Sequence, residues 1–422
     1  MTTTEAMNEK PTVLFVAPGG LMPVVGGGSA RMWGLLRWLR RSGYRVELVT
    51  ENHPGYQDAL ENEVDRLWIN RPPTLTLPAK MPMRERLMDI ARRGRAWLSR
   101  ARGQQERSVL ERNRAPSLEL LAAKAACESK PVATIVMYAW MAHALDLMPP
   151  GTLRMIDTID VQHTRAARAL SAGGDLSHIQ CTREDEITEL TRADVLLAIQ
   201  PEEAAELSAM CPDIRVVTLL HAFDVPESQP DTVQEATLLY VGNLYDPNVI
   251  GIRSFLSEVW PTVRAAHPQA LLTVCGKVCQ AISNPPEGVI LAGCVPDLAP
   301  YYRQAAIVIN PVPYGSGLKI KTVEALAEGK CLVCTEEAIR GLGSPEEVPV
   351  VVAGLKQGMS DRIMELLEDA TQRRNLERRA WEYAKAHLRG DVVYAPLAHL
   401  LAEHAQRGGH DLPGRNRAEC DA

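Results

Sequence analysis

Apolar residues in this chain come in short blocks separated by glycine, proline and charged positions. Val13–Ala17, Pro131–Met137, Ala193–Ile199 and Val216–Leu220 are apolar nearly throughout, and Arg45–Thr50 and Arg154–Ile159 are further strand-length runs that mix apolar and polar residues. Blocks of that length and uniformity predict strands covered on both faces rather than amphipathic helices. Between them, Arg31–Arg41, Glu184–Leu190 and Pro201–Met210 carry apolar positions at helical spacing. Glu227–Glu235 is polar and contains proline, which predicts a linker. The alternation then restarts. Strands are predicted at Ala236–Val241, Leu271–Cys275, Val289–Ala292, Ala305–Asn310 and Cys331–Cys334, with helices at Val249–Ala266, Leu298–Ala305 and Val323–Ala327. Asp361–His387 and Val392–Gln406 predict closing helices. Strand and helix in alternation, twice over, predict an α/β protein of two Rossmann-like halves with parallel sheets.

With 422 residues, two or three domains are expected. An apolar content of 46% against 23% charged residues is that of a globular chain, and a net charge of -6 argues against nucleic acid as a partner. The opening MTTTEAMNEK lacks the apolar core of a signal peptide, and no apolar run reaches bilayer length, so the expectation is a cytoplasmic protein. Nine cysteines sit mostly in apolar or mixed surroundings and read as free thiols. Cys331 and Cys334 have redox or zinc spacing but lie within a predicted strand, so they are assigned to the core.

Lys80–Arg114 departs from the rest: basic residues recur against few acids, with Leu87, Ile90, Trp97 and Leu98 interspersed. It reads either as a solvated helical insert or as a basic surface for an anionic membrane or acceptor, giving peripheral contact with the inner face of a membrane.

The candidate chemistry is concentrated in Pro311–Thr335, where a strand leads through Gly315-Ser316-Gly317 and Leu318 into a helix holding Lys319, Lys321 and Glu324. Glycines admit close backbone approach, free N–H groups at a helix start favour an anion, and two lysines add charge. Glu324, about one turn in, is suited to accept ribose hydroxyls. These features fit a nucleoside diphosphate; the bland alternative is an ordinary loop with solvated lysines. In the first half, Gly26-Gly27-Gly28-Ser29 follows the first strand without forming a clean dinucleotide fingerprint. Arg31 is either a cleft residue or a solvated one. Tyr138 lies just beyond its strand, where open sheets bind ligands. Asp157 and Asp160 bracket another strand end, a pair able to bind metal, and Asp160 and His163 are each either functional or capping groups for the next helix.

The run GSGLKIKTVEALAEGKCLVCTEEAIRGL resembles the donor motif of the family 4 glycosyltransferases, in the branch with a Gly-rich turn followed by K-x-x-E-A-x-A-x-G. The likeness extends over most of the chain, outside Lys80–Arg114. It implies the GT-B fold, two Rossmann-like domains facing across a cleft. Residues 11–228 would be the acceptor-side domain with its insert near 80–115, and 229–380 the nucleotide-sugar domain. Residues 381–406 would be helices crossing back, and 407–422 a disordered tail. It implies retaining transfer of a sugar from a nucleoside-diphosphate sugar to an acceptor hydroxyl, glycan, lipid-linked or small, with no cofactor and no essential metal. By this resemblance Glu324 holds the ribose. Gly315, Ser316, Gly317 and Leu318 meet the donor, as do Gly242, Gly276 and Val295. Lys319 and Lys321 stabilise leaving-group charge. Asp160 acts on the acceptor side as acid/base or orienting group, and Gly27, Gly28, Ser29, Arg31, His163 and Tyr138 line the cleft. The chain departs from the family pattern at three positions. Ser316 stands where the first acid of the motif falls, and Asn243 and Asn248 stand where Arg and Lys clamp the diphosphate. Two rivals stay open, a non-catalytic nucleotide-sugar-binding or partner protein and a nucleotide-sugar epimerase.

Overall fold

The structure, a computed structural model, describes residues 10–19, 21–22, 27–52, 54–71, 108–164, 181–229, 236–315, 317–355 and 357–407. The expectations for Ser316, for residues 80–107 of the basic stretch, for most of the linker and for the tail beyond residue 407 fall outside the described residues.

Two parallel sheets carry the fold. The first has seven strands: β1 (Thr12–Val16), β2 (Arg45–Glu51), β3 (Arg66–Asn70), β4 (Ala133–Met137), β5 (Leu153–Asp157), β6 (Val195–Ala198) and β7 (Arg215–Thr218), in the order β3-β2-β1-β4-β5-β6-β7. The second has six: β8 (Thr237–Val241), β9 (Leu271–Cys275), β10 (Val289–Gly293), β11 (Ile307–Asn310), β12 (Leu332–Cys334) and β13 (Val351–Val352), in the order β10-β9-β8-β11-β12-β13. Each order reverses once, between β1 and β4 and between β8 and β11. At such switch points an open sheet leaves a crevice at its strand C-termini.

The uniform apolar runs follow from this placement. Every residue of β1, β4 and β6 is buried, because helices cover both faces. Phe15, Val46, Leu48, Ile135 and Met155 pack under helix Gly27–Arg41 in one layer, and Leu14, Val136, Ile156 and Leu196 under helices Pro116–Ser129 and Arg183–Leu190 in the other. That helix over Pro116–Ser129, β3, and a 3-10 helix over Ala139–Leu147 extend the expected element set. Helix Gly27–Arg41 ends on Arg40 and Arg41, which suit the negative end of its dipole, and Gly43 at φ 91° turns the chain toward β2.

Two helices differ from expectation. The single helix over Val249–Ala266 is interrupted by a wide turn at Phe255–Val259, between helices Asp246–Ser254 and Trp260–Ala266. Pro261 lacks the N–H that would continue regular bonding, and the backbone absorbs the gap. Asp361–His387 is two helices, Gln357–Glu368 and Ala370–His387, because the Asp369 carboxylate accepts from the N–H groups of Thr371 and Gln372 and starts a new helix. Helix Ala370–His387 packs on the second domain's Ile320–Ala327 helix, whereas helix Ala395–Gln406 returns to the first domain. There Leu397, Leu400 and Leu401 join the first core, and His404 Nε2 donates to the Gly151 carbonyl at 2.8 Å.

One buried ion pair ties the first domain together. Arg31 Nε donates to both Asp157 oxygens at 3.0 and 2.9 Å, and its Nη1 donates to the carbonyls of Leu219 and Leu220 at 2.6 and 2.9 Å. Both side chains are almost wholly buried, at 1% and 2% exposure. Arg31 is thus neither a cleft residue nor a solvated one, which corrects both expectations. It joins the helix after β1 to the ends of β5 and β7. Asp157 is engaged by Arg31, so it does not pair with Asp160 as a metal-binding couple.

Cutting one partner from a buried pair leaves the other charge stranded. Arg31→Ala should lower the unfolding free energy by about 3–5 kcal/mol, read from denaturant unfolding of the first domain. A loss below about 1 kcal/mol would mean that the pair contributes no more than an exposed one.

Candidate functional site

The second sheet's switch point is built from two loops, one after β8 and one after β11. The β8 loop runs Gly242–Tyr245 into helix Asp246–Ser254 and is held compact by two amides: Asn243 Oδ1 accepts from the Leu244 N–H at 2.8 Å, and Asn248 Nδ2, in the helix's first turn, donates to the Asn243 carbonyl at 3.0 Å. Glycine is required beside it. Gly276, at φ 100°, lies against Gly242 so tightly that a Cβ there would sit 2.2 Å from the Gly242 carbonyl oxygen. Gly276 N–H also donates to the Gly293 carbonyl at 2.6 Å, so the ends of β8, β9 and β10 form one small-residue floor. Val295, past β10, is partly buried at the edge of this domain's core, as are Leu298 and Tyr301.

The β11 loop brings in the charges. Gly315 and Gly317 take φ 154° and 68° before helix Ile320–Ala327 begins, with Lys319 at its N-cap and Leu318 buried in the core. Lys321 Nζ crosses the crevice to β8 and the helix that follows it. It donates to Asn248 Oδ1 at 2.5 Å and to Tyr240 Oη at 3.1 Å, and stands 4.7 Å from the centre of the Tyr240 ring. Tyr240 is fully buried. Among the described residues no carboxylate pairs with this ammonium. Desolvation, then repulsion by Lys319, brings its pKa down to about 7. Lys319 Nζ instead donates to Glu337 Oε1 at 2.9 Å and to the Gly317 carbonyl at 2.9 Å. Burial pushes its pKa down, against the pull of Glu337 and of Asp160. The expectation that both lysines add full positive charge is therefore corrected: Lys319 is paired with a carboxylate, and Lys321 is about half protonated at pH 7.

Glu324 lies one turn further along the helix and accepts from Tyr302 Oη at 2.9 Å. Burial raises its pKa to about 7, with the Tyr302 bond opposing. Two groups of opposite native charge thus sit one helical turn apart, each poised to change protonation near neutral pH. Such perturbed pairs mark functional clefts more often than ordinary surfaces.

Across from this site lie the strand ends of the first domain. Gly28 touches the Tyr138 hydroxyl; a Cβ at Gly28 would be 2.5 Å from it, and one at Gly27 would be 2.8 Å from Ile320 of the second domain. Tyr138 takes φ 66° at the end of β4 and stacks on Trp140 with ring centres 4.1 Å apart. Ile159 takes φ 61° at the end of β5, a costly conformation for a β-branched residue, and Asp160 follows it. His163 Nδ1 is 2.7 Å from Glu186 Oε2 and its Nε2 is 3.4 Å from Glu206. Glu186 holds its pKa above the ordinary histidine value. Ser29 lies in the first turn of helix Gly27–Arg41. The structure thus brings Gly27, Gly28, Tyr138 and Asp160 to the face that meets the lysine-bearing loop, and draws His163 into a carboxylate pair beside it.

Three partners had no visible signal in the sequence: Tyr302, Glu337 and Glu186. Tyr240 carried a hint, as a polar tip inside an apolar strand. No three His, Cys, Asp or Glu side chains converge as a metal site among the described residues. Cys331 and Cys334 are fully buried, with pKa values pushed up to about 12, so neither is a thiolate. No helix among the described residues is long and apolar enough to cross a membrane.

Comparison with known proteins bears on this half of the chain and on the fold. Residues 235–369 match the family described as Glycosyl transferases group 1. An uncharacterized 44.6 kDa protein in the cps region of Klebsiella pneumoniae is 27% identical over 133 residues; the match spans 29% of this chain and 34% of that protein. Among solved structures, the sucrose-phosphate synthase of Thermosynechococcus elongatus superposes with TM-score 0.69 at 16% identity, over 94% of this chain and all of the other. A Staphylococcus aureus TarM mutant in complex with fondaparinux, alpha-GlcNAc-glycerol and UDP gives 0.66 at 9% identity, over 93% of this chain and 99% of the other. Anabaena HepE in complex with UDP gives 0.60 at 14%, over 93% of this chain and all of the other. The architecture is GT-B: two Rossmann-like domains with the lysine-bearing loop of the second turned toward the strand ends of the first.

The two titrating groups give stability opposite slopes with pH. Lys321 binds its proton more weakly folded than unfolded, so stability rises with pH between about 7 and its ordinary 10.5. Glu324 binds its proton more tightly folded, so stability falls between its ordinary 4.5 and about 7. Relative to wild type, Glu324→Gln should gain melting temperature between pH 5 and pH 8, by roughly 2 °C or more. Lys321→Met should gain more at pH 6 than at pH 10. Scanning calorimetry across that range checks both; parallel curves for wild type and variants would show that neither group is perturbed.

Proposed function

We propose that the chain is a retaining glycosyltransferase that moves a sugar from a nucleoside-diphosphate sugar to an acceptor hydroxyl. The observation that carries this reading is the Lys321–Asn248–Tyr240 contact at the switch point, with Glu324 one turn away. The group 1 match over residues 235–369 supports it, and so does the GT-B fold. In this reading the diphosphate lies at the start of helix Ile320–Ala327 and takes over Lys321 from Asn248. Glu324 turns from Tyr302 to the ribose hydroxyls, and Gly293–Val295 meets the base. Glycines 242, 276 and 315 keep side chains out of the path of the phosphates.

Breakage of the sugar–phosphate bond leaves charge on the departing phosphate, and cations fixed beside it lower the barrier. Lys321 is suited to this role because its ammonium is held in place before substrate arrives. An anion beside it favours its charged form, so donor binding draws a proton from solvent. Asp160, facing the same loop from the first domain, is assigned to orient the acceptor hydroxyl, and the leaving phosphate to receive its proton. The reaction so written uses no resident metal. The acceptor is a glycan, lipid-linked or small-molecule hydroxyl, and a lipid-linked one would draw on the basic Lys80–Arg114 stretch for contact with the inner face of a membrane.

A second reading, nucleotide-sugar binding without turnover, has the neutral Asn243 and Asn248 behind it, since amides bond phosphate more weakly than charged groups. Calorimetry with nucleoside diphosphates and their sugars, followed by product analysis with candidate acceptors, separates the readings. The expected result is binding to one nucleotide with proton uptake above pH 7, weakening as pH rises to 9. Lys321→Ala should lose at least about tenfold in affinity, the scale of one charge-assisted phosphate contact. Nucleotide release that requires an acceptor, and fails in Asp160→Ala, identifies the transferase. Release or rearrangement with donor alone would make it a hydrolase or epimerase. Absence of binding by any nucleoside diphosphate would overturn the proposal.

A further inference from the structure

The first domain reaches into the second at one place that the donor and acceptor readings leave unused. Ile199, at the end of β6, is buried among second-domain side chains such as Val312 and Leu318. Gln200 and Glu203 follow at the start of helix Pro201–Met210, one turn apart, with 0% and 1% exposure. Each meets a glycine of the second domain in the left-handed region. Gly341, at φ 86°, lies against Gln200, and a Cβ there would sit 2.2 Å from Gln200 Oε1. Gly317, at φ 68°, faces Glu203; a Cβ there would sit 3.7 Å from Glu203 Oε1 and 4.0 Å from the Ile159 carbonyl. The two side chains are joined, Gln200 Nε2 donating to Glu203 Oε1 at 3.3 Å. Gly317 also gives its carbonyl to Lys319. Burying a carboxylate and an amide at a domain contact costs free energy that apolar side chains would not, so their presence asks for a reason.

We infer that Gln200 and Glu203 are positioning residues that hold Gly317 and Gly341 in place, so that the donor site takes its binding shape only while the first domain is seated on the second. Both glycines follow strands that end in the second domain's crevice, Gly317 after β11 and Gly341 after β12. Residues bearing a Cβ are strained at either φ, and at Gly341 the neighbour leaves no room. A side chain two atoms longer or shorter than glutamine at position 200 would lift or drop the Gly341 segment, and Glu337, in the same segment, holds Lys319. The contact therefore transmits domain seating to the lysine loop through Gly317 directly and through Glu337 and Lys319 indirectly. This inference rests on the donor reading for its consequence but not for its geometry.

The test uses the full-length chain with Glu203→Ala, Glu203→Gln, Gln200→Ala and the wild type. Hydrogen exchange of the ligand-free protein reads the geometry alone. Amides at Gly317–Lys319 and Gly341–Leu342 should exchange faster in both alanine variants, with β6 and β11 unchanged. Unchanged exchange in those segments would overturn the inference, whatever the protein binds. Nucleoside-diphosphate-sugar turnover reads the consequence. Glu203→Ala should raise the donor KM about tenfold, in the ordinary range of coupling between sites, with acceptor KM unaltered. Glu203→Gln, which keeps an oxygen acceptor, should restore it. Faster exchange with an unmoved donor KM would overturn the positioning role, leaving a contact that serves stability alone. Failure of wild type to bind any nucleotide would count against the donor reading, and the exchange result would still decide the contact.

Discussion

An ammonium group enclosed among neutral partners sets the conditions for the second domain. Lys321 spans the crevice between the loops after β8 and β11, where Asn248, Tyr240 and the ring face of Tyr240 stand in for the carboxylate that a buried cation ordinarily finds. Holding it there costs stability at every pH below its ordinary 10.5, and the cost is complete below about pH 7. The arrangement is economical only if an anion is expected. The surrounding backbone agrees: three glycines at adjacent strand ends, Gly242, Gly276 and Gly293, keep the floor of the crevice bare. Glu324 beside it is a carboxyl group kept from water and answered by a single tyrosine hydroxyl. Both groups are less satisfied than the core around them, which is the pattern of a site built for a ligand rather than for stability.

The first domain solves a different problem. Its strand ends must approach the other domain while remaining rigid, and Arg31 supplies the brace. By bonding Asp157 and the carbonyls after β7, it fixes the ends of β5 and β7 relative to the helix after β1. Two non-glycine residues at φ above 60°, Tyr138 and Ile159, sit next to these braced ends. Strain of that kind persists where surrounding packing over-determines the backbone. Here the surroundings are a stacked Trp140, the buried ion pair and the neighbouring domain itself.

The alternation of apolar blocks and helical spacing made the two-sheet fold legible, because parallel strands buried on both faces have few polar positions to disguise them. The glycine turn and the clustering of Lys319, Lys321 and Glu324 at one helix start were legible for a simpler reason: they are neighbours along the chain. What the sequence could not carry is who answers whom. Glu337, Tyr302 and Glu186 are distant in sequence from Lys319, Glu324 and His163, and nothing in local spacing marks them. Arg31 was misread for the same cause, since its partner is 126 positions away. The helix break at Asp369 and the widened turn before Pro261 were written locally, in a capping carboxylate and a missing N–H, and were passed over within long helical patterns.

The most direct test of the donor site is a crystal structure with a nucleoside diphosphate bound. The account places the diphosphate within hydrogen-bond distance of Lys321 Nζ, with Asn248 released and Glu324 on the ribose. A diphosphate bound instead at the Gly27–Ser29 turn of the first domain, with Lys321 still on Asn248, would contradict it.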